Sequence, residues 1–403
     1  MIKERTFVGF GFGPIQSGLF VAEAFKSGNF KRIVIAEIDQ NLVSAVRANN
    51  GSYHVNIASN SGILAEKIDG IEMLNPAVET DRDELVKALS QATEIATSLP
   101  SVDFYDTGEN SVASLIKRGL ENSTSPATII YTAENNNHAA DILDEKVGSF
   151  KNVQFLNTVI GKMSQVVDDK HEIRRKVLKP ITPDIDRAFL VEEFNKILVT
   201  KCCIPDFIPG IKVFLEKEDL MPFEEAKLYG HNAIHFLLAL LGLSKGYKGM
   251  KNLKNNKEIM QIARDAFINE SGAALIKKYA ELNDMLFTET GFTAYAEDLL
   301  ERMTNPYLDD PIERIARDLQ RKLGLNDRIF GTMQLVLECG IEPINMAKGA
   351  KAGVDFLLKS SEENKVPENL CDKQKIDELL RWLWNGKVGR YHDNIVKYVK
   401  KAS

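Results

Sequence analysis

Short apolar runs alternate with amphipathic stretches from Thr6 to about Leu156. Thr6–Phe10 (TFVGF), Arg32–Ala36 (RIVIA), Ala127–Ala133 (ATIIYTA) and Val153–Leu156 read as strands, and Ser101–Tyr105 as a further short one. Leu19–Phe25, Glu84–Ala96 and Ser111–Gly119 carry the period of helices between them. Strands alternating with helices at this spacing predict a parallel sheet joined by crossover helices. From about Val191 the pattern changes to long helical periods: Val191–Thr200, Glu224–Leu243, Asn256–Asn283, Thr293–Thr304, Ile312–Lys322, Ile329–Glu338, Ile376–Trp384 and His392–Lys400. The expected organisation is an α/β domain over residues 1–190 and a mostly α-helical C-terminal domain over residues 191–403.

Composition narrows the functional classes. The 403 residues are 44% hydrophobic and 27% charged, as in an ordinary globular protein. A net charge of −6 without a basic excess argues against nucleic acid and against a polybasic membrane surface. Four scattered cysteines, Cys202, Cys203, Cys339 and Cys371, form no disulfide framework and no zinc spacing. The uncharged stretch Phe7–Ala22, preceded by Lys3 and Arg5, resembles a signal peptide superficially, but its glycines, Pro14 and Gln16 make a poor apolar helix. No other run reaches the roughly 18 apolar residues of a membrane span. A cytoplasmic location, with no membrane partner, is expected.

The uncharged stretch carries candidate chemistry instead. Gly11-Phe12-Gly13-Pro14-Ile15-Gln16 follows the first strand and opens the first helix. In a dinucleotide-binding turn the first glycine allows the tight turn, the second admits a pyrophosphate against the backbone, and the helix N-terminus offers free N–H groups. Gln16 stands where a third glycine is usual, so a ligand-free Gly-rich turn remains an alternative. The second strand ends in Glu37, followed by Ile38 and Asp39. A carboxylate there accepts the ribose hydroxyls of an adenosine and repels a 2′-phosphate, which favours NAD over NADP. Turn, helix and acidic strand end together predict a Rossmann-type NAD-binding domain, with Gly11, Gly13, Pro14, Ile15, Gln16, Glu37 and Ile38 as candidate cofactor contacts.

In the helical half, Lys227, Asn232 and His235 fall within an arc of about 140° on an α-helix and span about 12 Å of its axis. A lysine beside a dry pocket can have a lowered pKa and act as a base towards an alcohol, while neutral Asn and His donors stabilise the developing alkoxide. Spacing alone favours the plainer reading of an amphipathic helix with a surface lysine, a capping or surface asparagine and a satisfied, half-buried histidine. Lysines 245, 248, 251, 254 and 257 read as a solvated face.

Lys227-x4-Asn232-x2-His235 resembles the signature of the polyol-specific long-chain dehydrogenases, nearest to their mannitol-1-phosphate 5-dehydrogenase branch. Phe10–Gly18, Ser52-Tyr53-His54-Val55, Ala133-Glu134-Asn135, Val191-Glu192-Glu193-Phe194 and the stretch from Asn305-Pro306-Tyr307 through Arg314, Arg317, Arg321-Lys322 to Arg328 agree in the same order. The resemblance implies NAD-dependent interconversion of a polyol phosphate and a ketose phosphate, of the mannitol 1-phosphate and fructose 6-phosphate type. Lys227 would be the general base, with no metal. Asn232 and His235 would orient the substrate oxygen, Glu134 and Asn135 would adjoin the cofactor, and Asn135, Arg314 and Lys322 would bind substrate. A small-molecule partner and a monomer or weak dimer are implied. Departures at Gln16, Ser17, Ser98-Leu99-Pro100 and Gly161-Lys162 keep two alternatives open: a dehydrogenase or reductase of a non-phosphorylated polyol or keto-uronate, and a non-catalytic dinucleotide-binding protein.

Overall fold

The computed structural model describes residues 5–360, 362, 365–372 and 374–402, so Lys3 lies outside the described residues. Twelve strands are present among them: β1 (Thr6–Phe10), β2 (Arg32–Ala36), β3 (Tyr53–Ala58), β4 (Ile63–Ile68), β5 (Ile71–Leu74), β6 (Ala92–Thr97), β7 (Thr128–Thr132), β8 (Val153–Val159), β9 (Ser164–Val167), β10 (Ala188–Glu192), β11 (Leu198–Thr200) and β12 (Leu215–Lys217). The main sheet has the order β12-β11-β8-β7-β6-β1-β2-β5. Its run from β5 to β8 is parallel throughout, and β11 joins antiparallel to β8. The order places β1 beside both β2 and β6, so the chain reverses its winding direction between β1 and β6. Ligands of doubly wound folds bind at that reversal, beyond the carboxyl ends of the strands.

Side chains alternate across this sheet and both faces are covered. Phe7, Ile33, Ile35 and Tyr131 enter one core, while Val8, Phe10, Val34, Ile95 and Ile130 enter the other. A second sheet, β4-β3-β10-β9, contributes Tyr53, Val55, Phe189 and Val191 to the first of these cores. Gly18 permits that close packing, because a Cβ there would lie 2.7 Å from Val191 Cγ1 and 3.2 Å from Val55 Cγ1.

The chain divides into two compact units, Met1–Met221 and Pro222–Ser403. The first is a Rossmann-type α/β domain and the second is mostly helical. The division falls after Met221 and not at residue 190, because β10, β11 and β12 hydrogen-bond into the sheets of the first unit. Val191, Phe194 and Leu198 imitate a helical period, but they sit on β10, a connecting turn and β11. Three further expectations differ from the structure. The helix expected over Glu84–Ala96 spans Glu79–Gln91, and the strand β6 begins at Ala92; Ser101–Tyr105 is not a strand but overlaps a single helical turn, Val102–Asp106. The helix expected over Ile312–Lys322 is two short pieces, Ile312–Ala316 and Leu319–Lys322. It breaks because Asp318 adopts a left-handed φ of +58°, which no right-handed helix accommodates. Of the lysine run, Lys251 pairs with Asp309 at 2.9 Å and Lys245 pairs with Glu258. Among the described residues, no helix is long and apolar enough to cross a membrane, and no cluster of side chains suits a metal ion.

Candidate active site

The first candidate region lies at the carboxyl ends of β1, β2, β6 and β7. Gly11 has φ +82°, and a Cβ on it would stand 2.7 Å from Ser98 O, so the turn requires glycine twice over. Its N–H donates to Ala36 O at 2.9 Å, which ties the turn to the end of β2. There Glu37 closes the loop: Oε2 accepts from Phe12 N at 2.8 Å, and Oε1 accepts from Ile38 N at 2.8 Å and Asp39 N at 2.9 Å. The carboxylate is therefore held against the glycine turn, with acceptor capacity left for a hydroxyl. Asp39 caps the helix Gln40–Ala48 and lies 3.5 Å from Arg187 Nη1, while Ile38 is exposed.

A Cβ at Gly13 would meet nothing within 4 Å. Packing does not demand glycine there, but close approach of a pyrophosphate to the backbone does. Helical structure begins just beyond, with Ser17 N and Oγ both donating to Gly13 O at 2.9 Å. Gln16 is fully buried, and its side chain occupies the space over Gly9 in β1, where a Cβ would collide with Nε2. The close helix–strand contact that a third glycine usually provides is thus supplied from the strand. Neither polar atom of the Gln16 amide has a hydrogen-bond partner, a cost that buried amides rarely carry.

Glu134 is buried at the end of β7 and points inward. It accepts from Thr97 Oγ1 at 2.9 Å, from Leu99 N at 2.8 Å and from the Tyr105 hydroxyl. Burial raises its pKa while these donors oppose the rise. Its carboxylate fixes the loop after β6, whose Ser98 carbonyl rests on Gly11. Asn135, next along, is exposed at the same end of the sheet. Lys162, in the departing Gly161-Lys162 pair, donates to the carbonyls of Glu192 and Phe194 and stays within the first unit.

The second candidate region belongs to the helical unit. Residues 221–244 form one continuous helix, but Ala226–Asn232 is π-helical. In a π-turn the hydrogen bonds run from i to i+5, so Lys227 and Asn232 stack one turn apart rather than about 140° apart as on an α-helix. Burial lowers the Lys227 pKa to about 8; Glu224 opposes the fall and Arg328 adds to it. His235 is lowered to about 4, mainly by burial, with Asp310 opposing and Arg314 contributing. It is neutral at pH 7. Its Nε2 stands 3.9 Å from Asp310 Oδ2 and has no hydrogen-bond partner. Asp310 is occupied by Arg314, which grips it through Nε at 2.7 Å and Nη2 at 2.5 Å.

Asn232, His235, Arg314 and Lys322 line one cavity of about 250 Å³. Lys227 does not line it and lies one π-turn away on the same helix. Three arginines that the sequence offered only as part of the resembling stretch, not as site residues, line it as well: Arg317, Arg321 and Arg328. Their signal was the spacing of Arg314, Arg317 and Arg321, which reads as an exposed helix face; Arg317 and Arg321 do stay exposed, and with Arg314 they line the cavity on either side of the break at Asp318. Five cations and one carboxylate, Asp318, line the cavity; behind the lining, Asp310 pairs with Arg314, and Asp327 with Arg328 at 2.6 Å and with Arg321 at 3.5 Å. Lys322 donates to Ile315 O at 2.7 Å and lies 5.7 Å from the Phe236 ring centroid; burial and the neighbouring Arg328 and Arg321 lower its pKa to about 8.

Residues 219–379 match the family described as mannitol dehydrogenase C-terminal domain. The match contains every lining residue of this cavity and Lys227. The chain is also similar in structure to a D-sorbitol dehydrogenase solved in substrate-free form, with a TM-score of 0.77 and 14% identity over 99% of this chain and 93% of that one. A mannitol 2-dehydrogenase of Pseudomonas fluorescens, solved with NAD and D-mannitol, gives a TM-score of 0.68 and 15% identity over 99% and 91%. At these identities the two structures show the fold.

Proposed function

We propose that the protein is an NAD-dependent oxidoreductase that interconverts a polyol and a ketose, with Lys227 as general base. The observation that carries this reading is the π-turn in the family-matched segment, which sets Lys227, of lowered pKa, one turn before Asn232, with neutral His235 lining the adjoining cavity beside Asn232. Gly11, Gly13 and Glu37 fit a dinucleotide without a 2′-phosphate, and the relative solved with NAD supports the same cofactor. Bound there, the nicotinamide would supply the hydride acceptor. Lys227, deprotonated, takes the proton of the substrate hydroxyl at Nζ. Asn232 and His235 donate hydrogen bonds to that oxygen as negative charge develops on it. His235 can do so as a neutral donor because burial keeps it uncharged.

For the substrate, the names of the two relatives favour a non-phosphorylated polyol over the mannitol 1-phosphate and fructose 6-phosphate pair. A specific observation favours a substrate with an anionic end, as in a keto-uronate or a sugar phosphate: the cavity gathers Arg314, Arg317, Arg321, Lys322 and Arg328 in a chain of net charge −6. Oxidation of NADH and of NADPH with fructose, a keto-uronate and fructose 6-phosphate tests both. NADH turnover with at least one is expected, with kcat/KM higher for the anionic ketoses. No turnover with any of the three contradicts the enzyme reading and leaves a non-catalytic dinucleotide-binding protein. A higher kcat/KM for fructose contradicts the anionic one.

A further inference from the structure

The four-residue helix Leu319–Lys322 brings Arg321 and Lys322 to the cavity, yet it is too short to hold itself. Its own bonds are those of a single turn: Lys322 N to Asp318 O, Leu323 N to Leu319 O and Gly324 N to Arg321 O. The carbonyls that leave this turn are satisfied by side chains from elsewhere in the helical unit. Gln334 Nε2 donates to Leu325 O at 2.6 Å, and Trp384 Nε1 donates to Leu323 O at 3.0 Å.

Trp384 is itself held by two ring contacts. It is 3% exposed, with its ring edge-to-face on Phe330 at 5.1 Å and on His392 at 5.5 Å. His392 is buried and bonds through Nε2 to Asp377, on the helix Ile376–Leu383 that ends at Trp384. The result is a chain of fixed contacts, Asp377 to His392 to Trp384 to the Leu323 carbonyl, adjacent to Lys322. Trp384 and His392 lie beyond residues 219–379, the part that matches the family.

We propose that Trp384 is a positioning residue for the anionic end of the substrate: its indole N–H, by holding Leu323 O, keeps the Lys322 and Arg321 cations in the cavity. This rests on the anionic-substrate reading above. Trp384 touches no substrate. It acts by removing the freedom of a turn that would otherwise have to be ordered each time an anion binds, and such ordering weakens affinity.

The test uses inorganic phosphate and the full-length protein, read by calorimetry and by tryptophan emission. The chain has two tryptophans, so W382F leaves Trp384 as the sole reporter. In W382F, phosphate is expected to shift the emission along the saturation curve that calorimetry gives. In W384F, the phosphate dissociation constant is expected to rise about tenfold, the equivalent of one hydrogen bond. Reduction of a ketose phosphate by W384F should show a similar rise in KM, with kcat within about twofold and uncharged ketose unaffected. Unchanged phosphate affinity in W384F, or an equal loss on charged and uncharged ketoses, overturns the proposal. If W384F does not fold, an emission in W382F that stays silent while calorimetry records binding overturns it as well. Wild-type protein that binds no phosphate overturns it too, and marks the anionic reading as the part that failed.

Discussion

The two candidate regions are built from different materials. At the carboxyl end of the main sheet, the work falls to the backbone: Gly11 turns it, Gly13 leaves it open, and Glu37 is pinned by three N–H groups. In the helical unit, side chains do the work: a lysine and an asparagine stacked by a π-turn, a neutral histidine, and five cations around a cavity of about 250 Å³. Their electrostatics are opposed. The first presents a fixed carboxylate that disfavours any anion beyond a pyrophosphate, and the second gathers positive charge. Under the function proposed above, that opposition would suit the adenosine end of a dinucleotide at the first and an anionic substrate at the second.

Substitutions that separate the two regions follow in order of expected effect. Lys227→Ala should lower kcat by roughly 10²–10⁴-fold, the usual worth of a positioned base, while the NADH dissociation constant measured by fluorescence stays within about twofold. Equal losses in both would mean that the regions are not separable. Gly13→Val fills space that the protein leaves open. It should weaken NADH binding by at least about tenfold, roughly 1.4 kcal/mol, with thermal stability little changed. An unaltered affinity would remove the turn from the cofactor site. Arg317→Ala with Arg321→Ala should raise KM for an anionic ketose by about tenfold and leave fructose unchanged.

A further substitution bears on stability within the first unit alone. Glu94, on β6, is buried and accepts from Gly210 N and Tyr131 OH, and burial pushes its pKa up to about 7. Because the folded state binds this proton more tightly than the unfolded chain, whose carboxyl titrates near 4.5, the group's contribution is fully present below that value. It is lost as pH rises through about 7. The loss is on the order of 3 kcal/mol. Glu94→Gln should flatten the pH dependence of urea unfolding between pH 5 and 8; an unchanged slope would contradict the assignment.

The same glutamate explains what could be read from the sequence. β1, β7 and the core of β2 are short, mostly apolar runs that announce themselves, whereas Ala92–Thr97 carries a charged residue near its centre and passes for a helix. Glu94 finds its donor Gly210 N on a segment more than a hundred residues away, and no local pattern marks that. The glycine turn was legible because few residues other than glycine tolerate φ +82°. In the helical unit, Lys227, Asn232 and His235 were legible as a set through the family resemblance, but their geometry was not. A π-turn and a left-handed Asp318 leave no mark in hydrophobic spacing, and both decide which side chains share the cavity. The domain boundary was misplaced for a related reason, since strand pairings of β10 and β11 are long-range.

The proposed role of Lys227 as a base depends on burial lowering its pKa to about 8. The direct measurement is the pH dependence of kcat/KM for polyol oxidation. Only the deprotonated amine accepts the hydroxyl proton, so the rate should climb as pH rises and level off above an inflection near 8. In the Lys227→Ala variant that inflection should vanish along with most of the activity. A wild-type profile flat from pH 6 to 10, or an inflection near 8 that persists in Lys227→Ala, would contradict the account.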